Sequence, residues 1–164
     1  MPPTPKTVLI TGCSAGGIGA AVAVAFLKRG HSVFATARSV SKIPIEISGH
    51  SNATVIPLDV SSTSSVAEAV KVVVASGRKL DILFNNAGVG HAMPILDLDI
   101  EHAKEVYDVN LWGVVRTIQG FAGLLIESRG RVVNVSTCGA VVNTPWICEF
   151  ILSPWSKKVV EMIY

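Results

Sequence analysis

The chain has 164 residues, of which 49% are hydrophobic and 16% charged, and its formal net charge is +2. This length and apolar content suit one buried core, so we expect a single domain over residues 1–164. The scattered lysines and arginines do not indicate a nucleic-acid partner. The mean hydropathy is +0.50, but the longest apolar run, Ala20 to Leu27, is shorter than the ~20 residues that span a bilayer. No transmembrane segment is therefore predicted.

The cysteines indicate the setting in which the chain works. Cys13, Cys138 and Cys148 lack the spacing of a metal site and cannot pair completely into disulfides. We therefore expect no metal and a reducing, intracellular environment. No apolar segment precedes the first strand, so no signal peptide is expected. Cys13 has no cation beside it in the sequence, which favours a space-filling role over a redox role.

Strands and helices alternate along the chain. Apolar and β-branched runs predict strands over 7–11, 32–37, 53–58, 80–84 and 131–136. Helical patterns cover 18–29, 63–76 and roughly 99–127, and the segment 38–52 is expected to be an irregular link with at most a short helical turn. This alternation requires right-handed crossovers and therefore a parallel sheet.

A glycine-rich turn joins the first predicted strand to the first predicted helix. It reads Thr-Gly-Cys-Ser-Ala-Gly-Gly-Ile-Gly from Thr11 to Gly19. Glycines lack Cβ, so the backbone can come close to a pyrophosphate, and the helix N-terminus offers unpaired N–H groups to the same place. The residues expected to bind the phosphates are Gly12, Ser14, Gly16, Gly17, Ile18 and Gly19. A tight turn without a ligand remains the alternative.

Three further motifs stand at the ends of predicted elements. Asn85-Asn86-Ala87-Gly88 closes the fourth strand, Asn110 lies inside a long helical pattern, and the fifth strand ends in the hydroxyls of Ser136 and Thr137. Together with the glycine-rich turn, and in this order, these motifs resemble those of the short-chain dehydrogenase/reductase family. The turn is one residue longer than is usual in that family.

The resemblance covers residues 6–146, whereas 147–164 diverge. The longer turn and the segment 141–146 are similar to fungal 1-acyldihydroxyacetone-phosphate reductases. The resemblance implies an α/β fold with a Rossmann-type doubly wound parallel sheet, truncated here after about five strands. It also implies a homo-oligomer through the 99–127 helix, and a cytoplasmic protein that can associate with lipid droplets or the endoplasmic reticulum.

The end of the second strand favours NADP(H) as the cofactor. A carboxylate at this place would hold the ribose hydroxyls of NAD and repel a 2′-phosphate. The chain instead has Thr36, Arg38 and Lys42, which offer a hydroxyl and two cations. An ordinary solvated charge after a strand remains the alternative for Arg38.

The resemblance assigns further cofactor contacts to residues after the third and fourth strands. Asp59 and Val60 are expected to lie against the adenine, and Asn86, Ala87 and Gly88 are expected to line the ribose. For Asp59 the alternative is a cap on the helix that starts near Ser62.

For the glycine-rich turn, we expect Gly19→Val to abolish nucleotide binding while the sheet stays folded.

The resemblance implies oxidation or reduction of a small-molecule carbonyl or secondary alcohol, with lipid-like compounds among the expected substrates. The hydroxyl of Thr137 or Ser136 would stabilise the developing alkoxide. Asn110, an amide among apolar neighbours, needs hydrogen bonds, and the resemblance gives it a water in a proton relay. The family's Tyr-x-x-x-Lys is not found, since about thirteen residues after Thr137 stands Phe150. We therefore expect weak or no catalysis, and a cofactor-binding pseudoenzyme is the alternative function.

Overall fold

Five strands form one fully parallel sheet in the order β3-β2-β1-β4-β5. The structure, a computed structural model, describes residues 4–90 and 92–136. The predictions for Thr137 and for 147–164 lie outside the described residues. The strands are β1 Thr7–Ile10, β2 Ser32–Ala37, β3 Ala53–Pro57, β4 Ile82–Asn85 and β5 Arg131–Asn134. The predicted doubly wound α/β fold is confirmed.

The helices lie between the strands as predicted. They are α1 Ile18–Lys28, α2 Ile45–Ser48, α3 Thr63–Ala75, α4 Ile100–Tyr107 and α5 Gly113–Ser128. Short 3-10 turns cover Val40–Lys42 and Ile95–Asp97. The pattern predicted one long helix over 99–127, whereas the structure divides it by a π-helical turn, Asp108–Trp112. Such turns are frequent at functional sites.

Alternate side chains of each strand point to opposite faces of the sheet, so two cores form. In β1, Val8 and Ile10 pack with Ala23 of α1, whereas Leu9 packs with Phe121 of α5 on the other face. All five are buried. Burial on both faces explains why the strands are continuous apolar runs and why the mean hydropathy is high.

The strand order places a crevice beside β1. From β1 the chain moves outward to β2 and β3, and it then returns to β4 on the other side of β1. At such a reversal the helices leave on opposite faces, and the connections at the carboxyl ends of the strands separate. The segments after β1, β2, β3 and β4 therefore meet at one edge, which is where the predicted motifs stand.

Among the described residues, one helical run is long and apolar enough, by length and composition alone, to cross a membrane. It is Ile100–Ser128, which comprises α4, the π turn and α5. Helices in the core of soluble proteins meet the same criteria. In Ile100–Ser128, 22% of the apolar window is buried, and Thr117, Phe121 and Leu125 of α5 are among the buried residues.

Candidate functional site

The glycine-rich turn is fixed to its surroundings by backbone hydrogen bonds. The N–H of Cys13 donates to the Thr36 carbonyl oxygen at 2.8 Å, and that of Ala15 donates to the Lys42 carbonyl oxygen at 2.8 Å. The Asn86 side-chain amide donates to the carbonyl oxygens of Thr11 at 2.9 Å and of Gly12 at 3.1 Å. The turn is therefore held by the chain after β2 on one side and by the chain after β4 on the other.

Thr11 connects this turn to the Asn-Asn-Ala-Gly motif. Its side-chain oxygen accepts the N–H groups of Asn86 and Ala87, each at 2.9 Å. Thr11 itself is buried, with 1% of its surface exposed. This role of Thr11 could not be predicted from the sequence, where it is only the first residue of the turn, because its two partners lie far away along the chain.

Replacing Thr11 by valine tests this connection. Valine keeps the shape and removes the acceptor, so two partly buried N–H groups lose their partner. We expect a loss of about 1–3 kcal/mol in the free energy of unfolding. Thr11→Ser keeps the oxygen and should retain most of that stability. Chemical denaturation of the three proteins measures the difference, and equal losses for valine and serine would contradict the hydrogen-bonding role.

The glycines of the turn serve different purposes. Gly12 and Gly16 have φ of +74° and +77°, in the left-handed region that side chains rarely adopt. A Cβ on Gly19 would lie 2.5 Å from both the Gly12 carbonyl oxygen and the Asn86 side-chain nitrogen. Gly19 is thus required by the protein's own packing. Gly17 caps α1 and has no side chain with which to bind its first N–H groups.

A cleft opens where the segments after β1, β2, β3 and β4 meet. Residues from all of them line it: Gly12, Ala37, Arg38, Leu58, Asp59, Val60, Ala87, Gly88, Val89 and Val109. Six of these, from Gly12 to Gly88, were predicted site residues. The other four, Ala37, Leu58, Val89 and Val109, were not predicted from the sequence. Each of the four directly precedes or follows a predicted site residue, and this adjacency was the signal available.

The three residues predicted to bind the 2′-phosphate side of the cofactor, Thr36, Arg38 and Lys42, differ in whether they reach the cleft. Arg38 is exposed and lines the cleft. Thr36 is fully buried, and its hydroxyl donates to the Ile10 carbonyl oxygen at 3.1 Å. Its hydroxyl therefore supports the strand from within, which corrects the expectation that it faces the cofactor. Lys42 is exposed and touches the turn through its carbonyl oxygen.

Asp59 lies in the cleft and does not cap α3. Ser62 is the N-cap, since its side chain accepts the N–H of Ser65 at 3.2 Å. Asp59 instead accepts the hydroxyl and the N–H of Ser61, at 2.7 and 3.0 Å. The Ser61 hydroxyl bond is the main cause that lowers the pKa of Asp59, and the nearby charges of Arg38 and Arg116 lower it further.

Because the pKa of Asp59 is lowered in the folded chain, we expect its contribution to stability to depend on pH. The folded chain favours the charged carboxylate of Asp59. Its contribution to the free energy of unfolding is therefore fully present above the unfolded pKa of about 3.9, and it is lost as pH falls through the lower pKa of the folded protein. We expect wild type to be more stable than Asp59→Asn near neutral pH, with the difference shrinking below pH 4. Thermal melts of both proteins between pH 3 and 7 measure it. A pH-independent difference would contradict the assignment.

Asn110 uses its amide on the chain after β4. Its side-chain oxygen accepts the Val89 N–H at 2.9 Å, and its side-chain nitrogen donates to the Val89 carbonyl oxygen at 2.8 Å. Asn110 lies in the π turn, so the widened helix brings the amide to the cleft wall formed by Val89. These two hydrogen bonds offset the free energy that an unpaired amide among apolar residues would cost. Its part in a proton relay stays a prediction.

A buried polar network lies behind the cleft and leads to β5. The Thr117 hydroxyl donates to the Asn85 side-chain oxygen at 2.9 Å, and the Asn85 nitrogen donates to the Asn134 oxygen at 2.9 Å. The network fixes β5 beside β4 just before Ser136, which is exposed. Sequence reasoning gave no role to Thr117, since its helix position offered no distinguishing pattern.

Cys13 fills space in the turn. It is fully buried, and its thiol donates to the Ile10 carbonyl oxygen at 3.3 Å. Burial raises the pKa of the Cys13 thiol to about 11. A thiol with so high a pKa is a poor nucleophile at neutral pH, which agrees with the expected structural role.

The fold is a Rossmann-type α/β sheet, and the cleft lies at its topological switch point. The sequence profile of the family described as short chain dehydrogenase matches residues 6–151. The chain belongs to the short-chain dehydrogenase/reductase family, and the resemblance identified from the motifs is confirmed.

Relatives and solved structures agree with this assignment. The chain is 45% identical to the short-chain dehydrogenase ptmH of Penicillium ochrochloron, covering 87% of this chain and 52% of that protein. It is 41% identical to the NADPH-dependent 1-acyldihydroxyacetone phosphate reductase of Schizosaccharomyces pombe, covering 80% and 44%. An alcohol dehydrogenase from Thermococcus sibiricus, complexed with 5-hydroxy-NADP, superposes with a TM-score of 0.84 at 29% identity, covering 92% and 66%. The chain spans about half the length of these curated relatives.

Proposed function

We propose that the chain is the nucleotide-binding part of an NADP(H)-dependent oxidoreductase that acts on a carbonyl or secondary alcohol. The observation that carries the proposal is the position of Arg38. It follows β2 and lines the same cleft as Asp59, where a carboxylate would hold the ribose of NAD. A guanidinium at this place matches the 2′-phosphate of NADP(H) in charge and geometry.

The shape of the cleft supports a dinucleotide. Gly12 and Gly88 line it without side chains, and the N-terminus of α1 begins beside the turn at Gly17. A Cβ on Gly16 would meet nothing within 4 Å, so the backbone there is open to an approaching group. Small residues, free N–H groups and one cation are the features that pyrophosphate and 2′-phosphate require.

The proposed chemistry assigns each group a task. When bound, NADP(H) supplies the exchangeable hydride. The hydroxyl of Ser136 or Thr137 polarises the substrate carbonyl, and Asn110 takes part in proton transfer. A lipid-like ketone is the proposed substrate class, because the relative from Schizosaccharomyces pombe is named for reduction of an acyl dihydroxyacetone phosphate. A homo-oligomer through α4 and α5 and an intracellular site of action belong to the same proposal.

Titration of the chain with NADPH and with NADH, followed by nucleotide fluorescence, tests the proposal. Binding of NADPH at least tenfold tighter than that of NADH is expected, because Arg38 interacts with the 2′-phosphate alone. The fragment 2′,5′-ADP should compete with NADPH, whereas 5′-AMP should compete weakly. Equal affinity for the two nucleotides would refute the cofactor assignment, and no binding of either would refute the nucleotide site.

A further inference from the structure

Arg116, on the first turn of α5, makes a group of contacts that no sequence motif predicted. Its guanidinium pairs with the Asp108 carboxylate at 2.5 Å and donates to the Asp108 carbonyl oxygen at 3.1 Å. It also reaches the Val60 carbonyl oxygen at 3.5 Å. The Arg116 side chain is 25% exposed. One largely buried cation therefore joins two segments that lie 48 residues apart in sequence, Val60 and Asp108.

Both of these segments form walls of the cleft. Val60 lines it directly, and Val109, which follows Asp108, lines it as well. Asp108 also opens the π turn that carries Asn110. The Asp108 carbonyl oxygen accepts the N–H of Gly113, and Arg116 adds a second donor to the same oxygen. Arg116 thus stands behind the cleft and holds two of its walls.

A second, independent contact joins the same two walls. A Cβ on Gly113, the first residue of α5, would lie 2.8 Å from Cγ2 and 3.1 Å from Cβ of Val60. The Val60 side chain therefore packs directly on the helix backbone, which only glycine permits. The absence of a side chain at Gly113 sets how near the wall can come, and the Arg116 hydrogen bonds hold it there.

We propose that Arg116 is a positioning residue for nucleotide binding, which ties the cleft wall at Val60 to the π turn at Asp108. The inference rests on the proposed function, since the ligand that the two walls enclose is the nucleotide. Arg116 need not touch that ligand. It acts by keeping Val60 and Val109 at the spacing that the adenosine half requires.

The test compares NADPH dissociation constants of the 164-residue chain and of three variants. Arg116→Met keeps the aliphatic stem and removes the donors, and we expect binding about tenfold weaker. Arg116→Lys keeps one charged donor for Asp108 and should recover part of the affinity. Arg29→Met is the matched control, since Arg29 is exposed at the end of α1 and donates to the Ala25 carbonyl oxygen. It should bind NADPH as wild type does.

A merely space-filling role for Arg116 would predict equal binding by the methionine and lysine variants. Wild-type affinity in folded Arg116→Met therefore overturns the positioning role, and so does a lysine variant no better than methionine. Absence of NADPH binding in wild type overturns the proposed function instead, so the two failures are distinguishable. Circular dichroism at the assay temperature establishes that each variant is folded.

Gly113→Ala provides a second arm that does not depend on how Arg116→Met folds. The added methyl group meets Val60 and should displace the same wall, with a several-fold loss of NADPH affinity. Gly123→Ala, on the same helix, is the matched control because a Cβ there meets nothing within 4 Å. Unchanged affinity in Gly113→Ala would show that the position of this wall does not govern binding and would overturn the proposal.

Discussion

Replacing Arg38 by aspartate should reverse the cofactor preference of the chain. The change removes the cation that faces the proposed 2′-phosphate and places a carboxylate there, which repels the phosphate and can accept the ribose hydroxyls of NAD(H). A hydrogen bond to a charged group contributes about 1.5–3 kcal/mol, so we expect NADPH affinity to fall about 100-fold. NADH affinity should rise. Fluorescence titration of wild type and variant with both nucleotides measures the ratio.

Arg29→Asp makes the same change of charge at the opposite end of α1 and controls for the general electrostatic field. Its ratio of NADPH to NADH affinity should equal that of wild type. If Arg38→Asp also leaves the ratio unchanged, Arg38 is an ordinary solvated charge after a strand, which was the alternative reading of the sequence. Higher salt should reduce the preference of wild type, because exposed charges are screened.

Gly19→Val should unfold or strongly destabilise the chain as well as abolish nucleotide binding. Its Cβ would lie 2.5 Å from the Gly12 carbonyl oxygen and from the Asn86 side-chain nitrogen. Both atoms are fixed, because they belong to one hydrogen-bonded group that joins the turn to the chain after β4. We expect a loss of about 3 kcal/mol or more in the free energy of unfolding. Chemical denaturation and NADPH titration on the same samples measure both effects.

Gly16→Ala separates backbone strain from collision. Gly16 has φ of +77°, but a Cβ there meets nothing within 4 Å, so only the strain of about 1 kcal/mol is expected. The sequence alone led us to expect that Gly19→Val would keep the sheet folded, since the pyrophosphate was the only close neighbour it suggested. A stable Gly19→Val variant that fails to bind NADPH would instead indicate that Gly19 is required for close contact with the nucleotide and not for packing within the protein.

The roles of particular side chains show where sequence reasoning stopped. Thr36 was expected to offer its hydroxyl to the cofactor, yet it donates inward to Ile10. Thr36 lies in β2 beside β1, and the sequence could not show that a carbonyl oxygen of the neighbouring strand is within reach of its hydroxyl. For Asp59, the residues alone left a capping and a cleft position open, and the resemblance favoured the cleft. The structure excludes the cap, because Ser62 is the N-cap of α3 and accepts the N–H of Ser65.

The sequence by itself determined the order of strands and helices, the parallel sheet and the family. These depend on the period of apolar residues and on glycine and asparagine at strand ends, which are local properties of the chain. The tertiary structure alone decided the contacts of Thr11, Gly19 and Arg116, since each joins segments separated by tens of residues. Whether such atoms meet depends on how the sheet twists and how closely the helices pack, and no local pattern encodes those distances.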